Sequence, residues 1–245
     1  MRILICDYDE VMDRDLDLER GFLRAGLGED IAIDCYVYDG NEEVFFAKLA
    51  EADVLMTAYL TIDARVLSHA KKLKMISVEA NGYNSIDIAE CKKLGITVAC
   101  IEEYCTDEVA DHTLTLALSA VRKINEYQND MRNDGIFRFN NRDGLFRLSG
   151  KTWGIVGAGK IGKAAAKRAQ AFGCKIVAYD PFADSKSLAE LGIELVSKEE
   201  LFARSNIISL HAGYTKETHH FINKESIALM AQKPIIVNVS RGGLV

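Results

Sequence analysis

Three glycines near the middle of the chain have the spacing of a phosphate-binding turn. Gly157, Gly159 and Gly162 follow the apolar segment Thr152–Val156 and precede an alanine-rich helical pattern. In such a turn the first glycine permits the tight bend, the second lets the backbone approach a pyrophosphate, and the third lets helix and strand pack closely. The free N–H groups at the start of the helix then face the phosphates. The pattern predicts a dinucleotide site.

An acid after the next predicted strand indicates which dinucleotide is bound. Asp180 follows Lys175–Tyr179 and lies 23 residues after Gly157. A carboxylate there accepts hydrogen bonds from the ribose hydroxyls and repels a 2′-phosphate. We therefore predict NAD(H) as the cofactor, in preference to NADP.

An arginine near the end of the sequence is a candidate for binding an acidic substrate. Arg241 follows the apolar segment Ile235–Val239. Its planar guanidinium offers two parallel donors that match a carboxylate, and it can also polarise a carbonyl oxygen beside it. The alternative is a structural ion-pair partner, and the residue type alone leaves both roles open.

Short apolar segments alternate with amphipathic ones along the chain, which is the pattern of parallel sheets covered by helices. The predicted strands are Ile3–Cys6, Ile33–Val37, Val54–Met56, Met75–Val78, Thr97–Cys100, Thr152–Val156, Lys175–Tyr179, Ile207–His211 and Ile235–Val239. The predicted helices lie near Leu16–Ala25, Val44–Ala50, Ala64–His69, Ile86–Leu94, Ile161–Ala171, Leu188–Leu191, Lys198–Ala203 and Lys224–Met230. The fold class is therefore α/β.

One further segment interrupts this alternation. Thr106 to about Asp130 is predicted as a single long helix, with Thr106 as its cap and acids in its first turn. It separates two strand–helix series, so we predict two lobes, 1–102 and 103–245, with a cleft between them. A polar loop follows at 133–150, and we interpret its arginines as solvated or as an anion site. They are Arg138, Arg142 and Arg147.

Composition excludes several classes of protein. The net charge of −6 argues against a nucleic-acid partner, and no apolar segment is long enough for a membrane span. The six cysteines lack the spacing of a metal site or a disulfide framework. We expect a cytoplasmic protein with no metal.

Several further motifs resemble the D-isomer-specific 2-hydroxyacid dehydrogenases, the family of D-lactate and D-3-phosphoglycerate dehydrogenases. The matching segments are Asn81–Asp87, Tyr104–Thr113, Leu148–Thr152, Ser209–His211, Thr215–Thr218 and Asn238–Gly242. The resemblance implies a flavodoxin-like substrate lobe followed by a Rossmann NAD-binding domain. It also implies hydride transfer between NAD(H) and a small D-2-hydroxy acid or 2-oxo acid, in a protein that is a homodimer at full length.

The resemblance also implies a role for each matching residue. Lys160 and Ile161 would lie along the pyrophosphate, and Arg241 would bind the substrate carboxylate and carbonyl. The implied nicotinamide-side residues are Ala212, Gly213, Thr218, Val239 and Ser240. The implied carboxylate-binding backbone groups of the first lobe are those of Asn81, Gly82 and Tyr83.

The sequence departs from the family pattern at two positions. Gly213 and Tyr214 stand where a proline and an aliphatic residue are usual, and Glu79 and Ala80 stand where the D-lactate branch has an arginine. The resemblance therefore does not determine the shape of the pocket at Gly213 and Tyr214. The absence of the arginine weakens a specific assignment as a D-lactate dehydrogenase.

The family's acid–base histidine and its glutamate partner follow the signature arginine, so we expect a truncated chain that is inactive by itself. The returning segment of the first lobe would also be missing. The histidines present are interpreted as structural or solvated, with His211 in a hydrogen-bonding or packing role. The others considered are His112, His219 and His220.

Two alternative functions remain open at this point. One is a non-catalytic NAD(H)-sensing module similar to the corepressor branch of the family, and the other is a dehydrogenase of formate or glycerate type.

Overall fold

The computed structural model describes residues 1–137 and 143–245. These residues form two compact units, Met1–Tyr104 and Cys105–Val245. Each unit contains a parallel sheet of five strands connected through helices, so the predicted α/β class is confirmed. Of the arginines in the polar loop, Arg147 is exposed, whereas Arg138 and Arg142 lie outside the described residues.

The first unit has the strand order β2-β1-β3-β4-β5, which is that of flavodoxin-like folds. Its strands are β1 (Arg2–Asp7), β2 (Ala32–Val37), β3 (Val54–Thr57), β4 (Met75–Val78) and β5 (Thr97–Cys100). Its helices are α1 (Asp9–Met12), α2 (Asp17–Leu27), α3 (Glu42–Glu51), α4 (Ala64–Leu67) and α5 (Ile88–Leu94). In β1, Leu4 and Ile5 are both buried although they point to opposite faces, as expected for a strand covered on both sides.

The second unit has the strand order β10-β9-β6-β7-β8, which matches five consecutive strands of the doubly wound dinucleotide-binding order. Its strands are β6 (Thr152–Val156), β7 (Lys175–Tyr179), β8 (Ile193–Leu195), β9 (Ile207–Leu210) and β10 (Ile235–Asn238). Its helices are α6 (Thr106–Val121), α7 (Ile124–Asn133), α8 (Lys160–Ala171), α9 (Ser185–Glu190), α10 (Lys198–Arg204) and α11 (Lys224–Ala228). A short 3₁₀ turn spans Gly242–Leu244. The chain reverses its direction of strand addition at β6, which places the loops after β6 and β9 side by side.

The prediction of one long helix from Thr106 to Asp130 is wrong. The helix ends at Val121, Lys123 takes a left-handed conformation with φ of 56°, and α7 begins at Ile124. The apolar face of α6 packs in the core of the unit, whereas Asp130 is the one buried residue of α7. The apolar side chains of α7, Ile124 and Met131, are exposed, so α7 does not continue that packing, and no glycine or proline signals the turn.

Two short elements are absent from the predicted set, and one cap is misplaced. Helix α1 and strand β8 contain only a few residues each, too few for a periodic pattern. Thr106 is the first helical residue of α6, and Cys105 occupies the cap position. The other predicted helices and all nine predicted strands are present, with ends within three residues of the prediction.

Candidate dinucleotide-binding site

Two glycines of the turn are required by the protein's own packing. Gly157 has φ of +90°, and a β-carbon there would lie 2.6 Å from the backbone nitrogen of Ala212. A β-carbon at Gly162 would overlap the carbonyl oxygen of Gly157. The first glycine therefore lets the turn approach the loop after β9, and the third lets α8 pack on the turn.

Gly159 differs, because no packing within the protein requires it. A β-carbon at this position would meet no atom within 4 Å, and its φ of −71° is open to any residue. Gly159 is also the N-cap of α8, so the space in front of it is the space that the helix's first N–H groups face. An open position at a helix N-terminus, between two closed ones, fits the approach of a pyrophosphate.

Asp180 fastens the turn to the end of β7. One carboxylate oxygen accepts a hydrogen bond from the N–H of Ala158 at 2.9 Å, and the other accepts one from the N–H of Phe182 at 2.9 Å. Each oxygen of an ionised carboxylate has two acceptor directions, so both retain capacity for a ribose hydroxyl. Asp180, the predicted acceptor for the ribose hydroxyls, is half-buried and lies beside the glycine turn.

The loops after β9 and β10 are tied to each other and to the turn. The hydroxyl of Ser240 donates to the carbonyl of Ala212, the residue against which Gly157 packs. The hydroxyl of Thr218 donates to the carbonyl of Gly213 at 2.8 Å, which folds the loop back on itself. The structure thus brings together the predicted residues of the second unit that follow β6, β7, β9 and β10.

Asn238, named from the sequence only as part of the matching segment Asn238–Gly242, holds the backbone turn that contains Arg241. The Asn238 side chain accepts from the N–H of Ser240 at 3.0 Å and donates to the carbonyl of Arg241 at 2.9 Å. This local turn is a known use of asparagine, so the residue type after a strand was a usable signal. Arg241 itself is exposed, with a guanidinium N–H donating to the carbonyl of Ser240 at 3.0 Å.

A cavity of about 600 Å³ lies at the end of β10, beside the first half of α6. Val239 and Ser240, both predicted on the nicotinamide side, are in its wall. The remaining lining residues are Glu108, Val109, His112, Leu116 and Asn238. His112 was interpreted as a satisfied structural histidine, but its side chain is exposed and faces this cavity.

His211 is part of a buried hydrogen-bonded chain. The indole N–H of Trp153 donates to the hydroxyl of Ser209 at 2.9 Å, and that oxygen lies 2.9 Å from Nε2 of His211. Burial lowers the pKa of His211 from 6.5 to about 4, so the ring is neutral at physiological pH. Nε2 and the serine hydroxyl share one hydrogen bond, and Nδ1 is buried without a partner.

This depressed pKa predicts a pH-dependent stability. Folding favours the neutral ring. The contribution of His211 to the free energy of unfolding is therefore complete above pH 6.5 and is lost as the pH falls toward 4. The stability advantage of the wild type over His211→Gln should therefore shrink by about 3 kcal/mol between pH 7.5 and pH 4. Urea unfolding measured at both pH values tests this, with the exposed His219→Gln as the control for replacing a histidine by glutamine. A pH-independent difference for His211→Gln would contradict it.

The predicted substrate residues Asn81, Gly82 and Tyr83 belong to the first unit. They lie in the loop between β4 and α5, at the carboxyl end of the parallel sheet, where open α/β sheets bind their ligands. Asp87 ends this loop and caps α5 by accepting a hydrogen bond from the N–H of Glu90 at 2.9 Å. Tyr83 is half exposed.

Comparison with known proteins identifies the family. Residues 114–245 match the family described as "D-isomer specific 2-hydroxyacid dehydrogenase, NAD binding domain", which is more than half of the chain. The chain therefore belongs to the D-isomer-specific 2-hydroxyacid dehydrogenase family, and its second unit contains the family's NAD-binding domain.

Individual relatives are similar over most of this chain. It is 36% identical over 222 residues to D-3-phosphoglycerate dehydrogenase of Mycobacterium bovis, covering 90% of this chain and 42% of that protein. It is 39% identical over 209 residues to glyoxylate reductase of Thermococcus litoralis, covering 82% of this chain and 63% of that protein. D-lactate dehydrogenase from Aquifex aeolicus, solved with NAD and lactic acid, superimposes with a TM-score of 0.85 at 30% identity, over 99% of this chain and 70% of that one. The chain thus spans roughly two fifths to two thirds of these curated relatives.

Within 1–137 and 143–245, no helix is both long and apolar enough to cross a membrane. The same residues contain no group of three or more His, Cys, Asp or Glu side chains arranged to hold a metal ion.

Proposed function

We propose that this chain carries the cofactor-binding and substrate-binding parts of an NAD-dependent oxidoreductase. Its reaction would interconvert a small D-2-hydroxy acid and the corresponding 2-oxo acid, with NADH supplying the hydride when bound. The observation that carries the proposal is the glycine turn, where packing closes the first and third positions and leaves Gly159 open. Membership of the family supports the reaction class.

The proposed tasks of the second unit follow from its geometry. The first N–H groups of α8, at Lys160 and Ile161, would bind the pyrophosphate, and Asp180 would accept the ribose hydroxyls. Arg241 would bind the carboxylate of the substrate with two parallel hydrogen bonds and polarise the 2-oxo group. In the first unit, the backbone N–H groups of Asn81, Gly82 and Tyr83 would bind a carboxylate. We accordingly assign 1–102 as substrate-binding and 103–245 as NAD-binding.

We also propose a preference for NADH over NADPH, supported by the position of Asp180 beside the turn. Asp180→Ser is expected to shift the ratio of the two dissociation constants about 100-fold toward NADPH, because it removes the charge that would repel a 2′-phosphate. Calorimetric titration with both cofactors measures the ratio. Asp184→Ser is the matched control, since serine keeps the cap of α9 while removing the same charge. An unchanged ratio in Asp180→Ser would refute the assignment.

We further propose that the 245-residue polypeptide turns over 2-oxo acids slowly, if at all. Its half-buried His211 cannot hold a second proton at neutral pH, because desolvation of the ring lowers its pKa to about 4. His219 and His220 are exposed and stack on each other in a turn. His112 faces the cavity at the end of β10, so any residual turnover should decrease in His112→Gln.

The test is a two-stage titration. We expect NADH to bind with a stoichiometry of one, and pyruvate or glyoxylate then to alter the fluorescence of the bound nicotinamide. Steady-state oxidation of NADH should remain far below the usual range of roughly 1–1,000 per second for enzymes. Failure of NADH to bind would contradict the cofactor assignment, and rapid turnover would contradict only the slow-turnover proposal.

Two broader assignments belong to the same proposal. A homodimer is supported by exposed apolar side chains on α6 and α7, namely Leu116, Ile124 and Met131. A cytoplasmic location is supported by the six cysteines, all of which are free thiols. Light scattering and fractionation of cells would test these two assignments.

A further inference from the structure

The carboxyl end of the first unit's sheet is strongly acidic. Five loops leave this edge, at 8–16, 38–41, 58–63, 79–87 and 101–104; the first includes the short helix α1, and the structure describes all five. Their only basic residue is Arg14. Their acidic residues are Asp9, Glu10, Asp13, Asp15, Asp39, Asp63, Glu79, Asp87, Glu102 and Glu103. We call these five loops the acidic edge.

Arg14 is already engaged by two glutamates. Its Nε donates to Glu19 at 2.9 Å, and its Nη2 donates to Glu79 at 2.7 Å. One positive charge is therefore shared between two negative ones, and the group of three has a net charge of −1. An anion arriving at this edge meets no uncompensated guanidinium in the five loops.

Glu79 is the member of this group nearest in sequence to the substrate loop. It follows β4 directly, is two residues before Asn81, and its side chain is only 19% exposed. Burial raises the pKa of its carboxyl group, and Arg14 opposes that effect. Glu19 and Asp7 also face it.

Asp7 adds a further negative charge that is fixed in place. This buried carboxylate at the end of β1 accepts hydrogen bonds from the Thr57 hydroxyl at 3.0 Å and the N–H of Tyr59 at 2.9 Å. These donors carry no formal charge, so they do not offset the negative charge that Asp7 places near Glu79. Charges held in a partly desolvated edge repel a like charge more strongly than they would in water.

We propose that Glu79 determines specificity by excluding substrates with a second negative charge. This specificity rests on the proposed function. Its substrates would be 2-oxo and 2-hydroxy acids whose side chain, beyond the reacting carbon and its carboxylate, is neutral or basic. Phosphorylated and dicarboxylic acids are disfavoured. The inference separates this chain from relatives named for the substrate D-3-phosphoglycerate.

The test uses the 245-residue protein saturated with NADH, with the fluorescence of the bound nicotinamide as the readout. The probes are pyruvate, the guanidino 2-oxo acid derived from arginine, oxaloacetate and phosphohydroxypyruvate. We expect the two anionic-tailed probes to bind at least about tenfold more weakly than pyruvate. Glu79→Gln should reduce this gap about tenfold, and Arg14→Gln should widen it.

Glu29→Gln is the matched control for net charge. Glu29 is exposed and precedes β2, at the opposite end of the sheet, so this change should leave the gap unaltered. Preferential binding of phosphohydroxypyruvate, or equal effects of Glu79→Gln and Glu29→Gln, would overturn the specificity inference alone. Binding of NADH without binding of any 2-oxo acid would overturn the proposed function, and this inference with it.

Discussion

Gly159→Asp is expected to weaken NADH binding at least about 100-fold while leaving the protein as stable as the wild type. The side chain enters the open space before α8, where it would displace the pyrophosphate and repel its charge. Folding is not impaired, because no protein atom lies within 4 Å of the new β-carbon and aspartate is a favourable N-cap. Calorimetric titration and thermal unfolding together measure both effects.

Gly26→Asp provides the control for an added charge. Gly26 lies in α2 of the first unit, and a β-carbon there also meets no atom within 4 Å. This variant should bind NADH with unchanged affinity. If Gly159→Asp bound NADH as the wild type does, the pyrophosphate would not lie where the turn indicates.

Gly162→Ala, unlike Gly159→Asp, is expected to destabilise the protein, because it disrupts the packing of the glycine turn in the second unit. Its methyl group would overlap the carbonyl oxygen of Gly157 and lie 3.1 Å from Ile155. The Gly157 backbone cannot move freely, because its N–H donates to the carbonyl of Tyr179 at 3.0 Å. We expect the free energy of unfolding to fall by about 3 kcal/mol, in the upper range for overpacking a core.

The matched substitution is Gly26→Ala, at an uncrowded helical position. It should stabilise the protein by roughly 0.5–1 kcal/mol, since alanine loses less backbone entropy in a helix. Urea unfolding of the two variants beside the wild type gives both values. A change of less than 1 kcal/mol in Gly162→Ala would show that α8 does not pack closely on the turn.

The parts of the fold that follow from local pattern were predictable. Buried parallel strands such as β6 and β9 are apolar on both faces, and the glycine spacing and Asp180 are contiguous with them in sequence. Family resemblance added the loop around Asn81 and the role of Arg241. Each of these signals lies within one or two neighbouring elements.

The features that were missed depend on contacts between distant residues. Arg14 and Glu79 are 65 residues apart, and neither is informative until the sheet brings the ends of β1 and β4 to one edge. The interruption at Lys123 depends on where the apolar face of α6 stops being covered. The chain from Trp153 through Ser209 to His211 joins two strands that pair side by side. Sequence periodicity contains none of this information.

The central claim is that the second unit binds NAD(H) at the turn after β6, and the protein contains a natural probe for it. Trp153 is the only tryptophan, is fully buried, and lies in β6, the strand that leads to Gly157. Titration with NADH should quench Trp153 emission and sensitise nicotinamide emission, saturating at one NADH per chain. A tryptophan signal that does not change up to millimolar NADH would contradict the account.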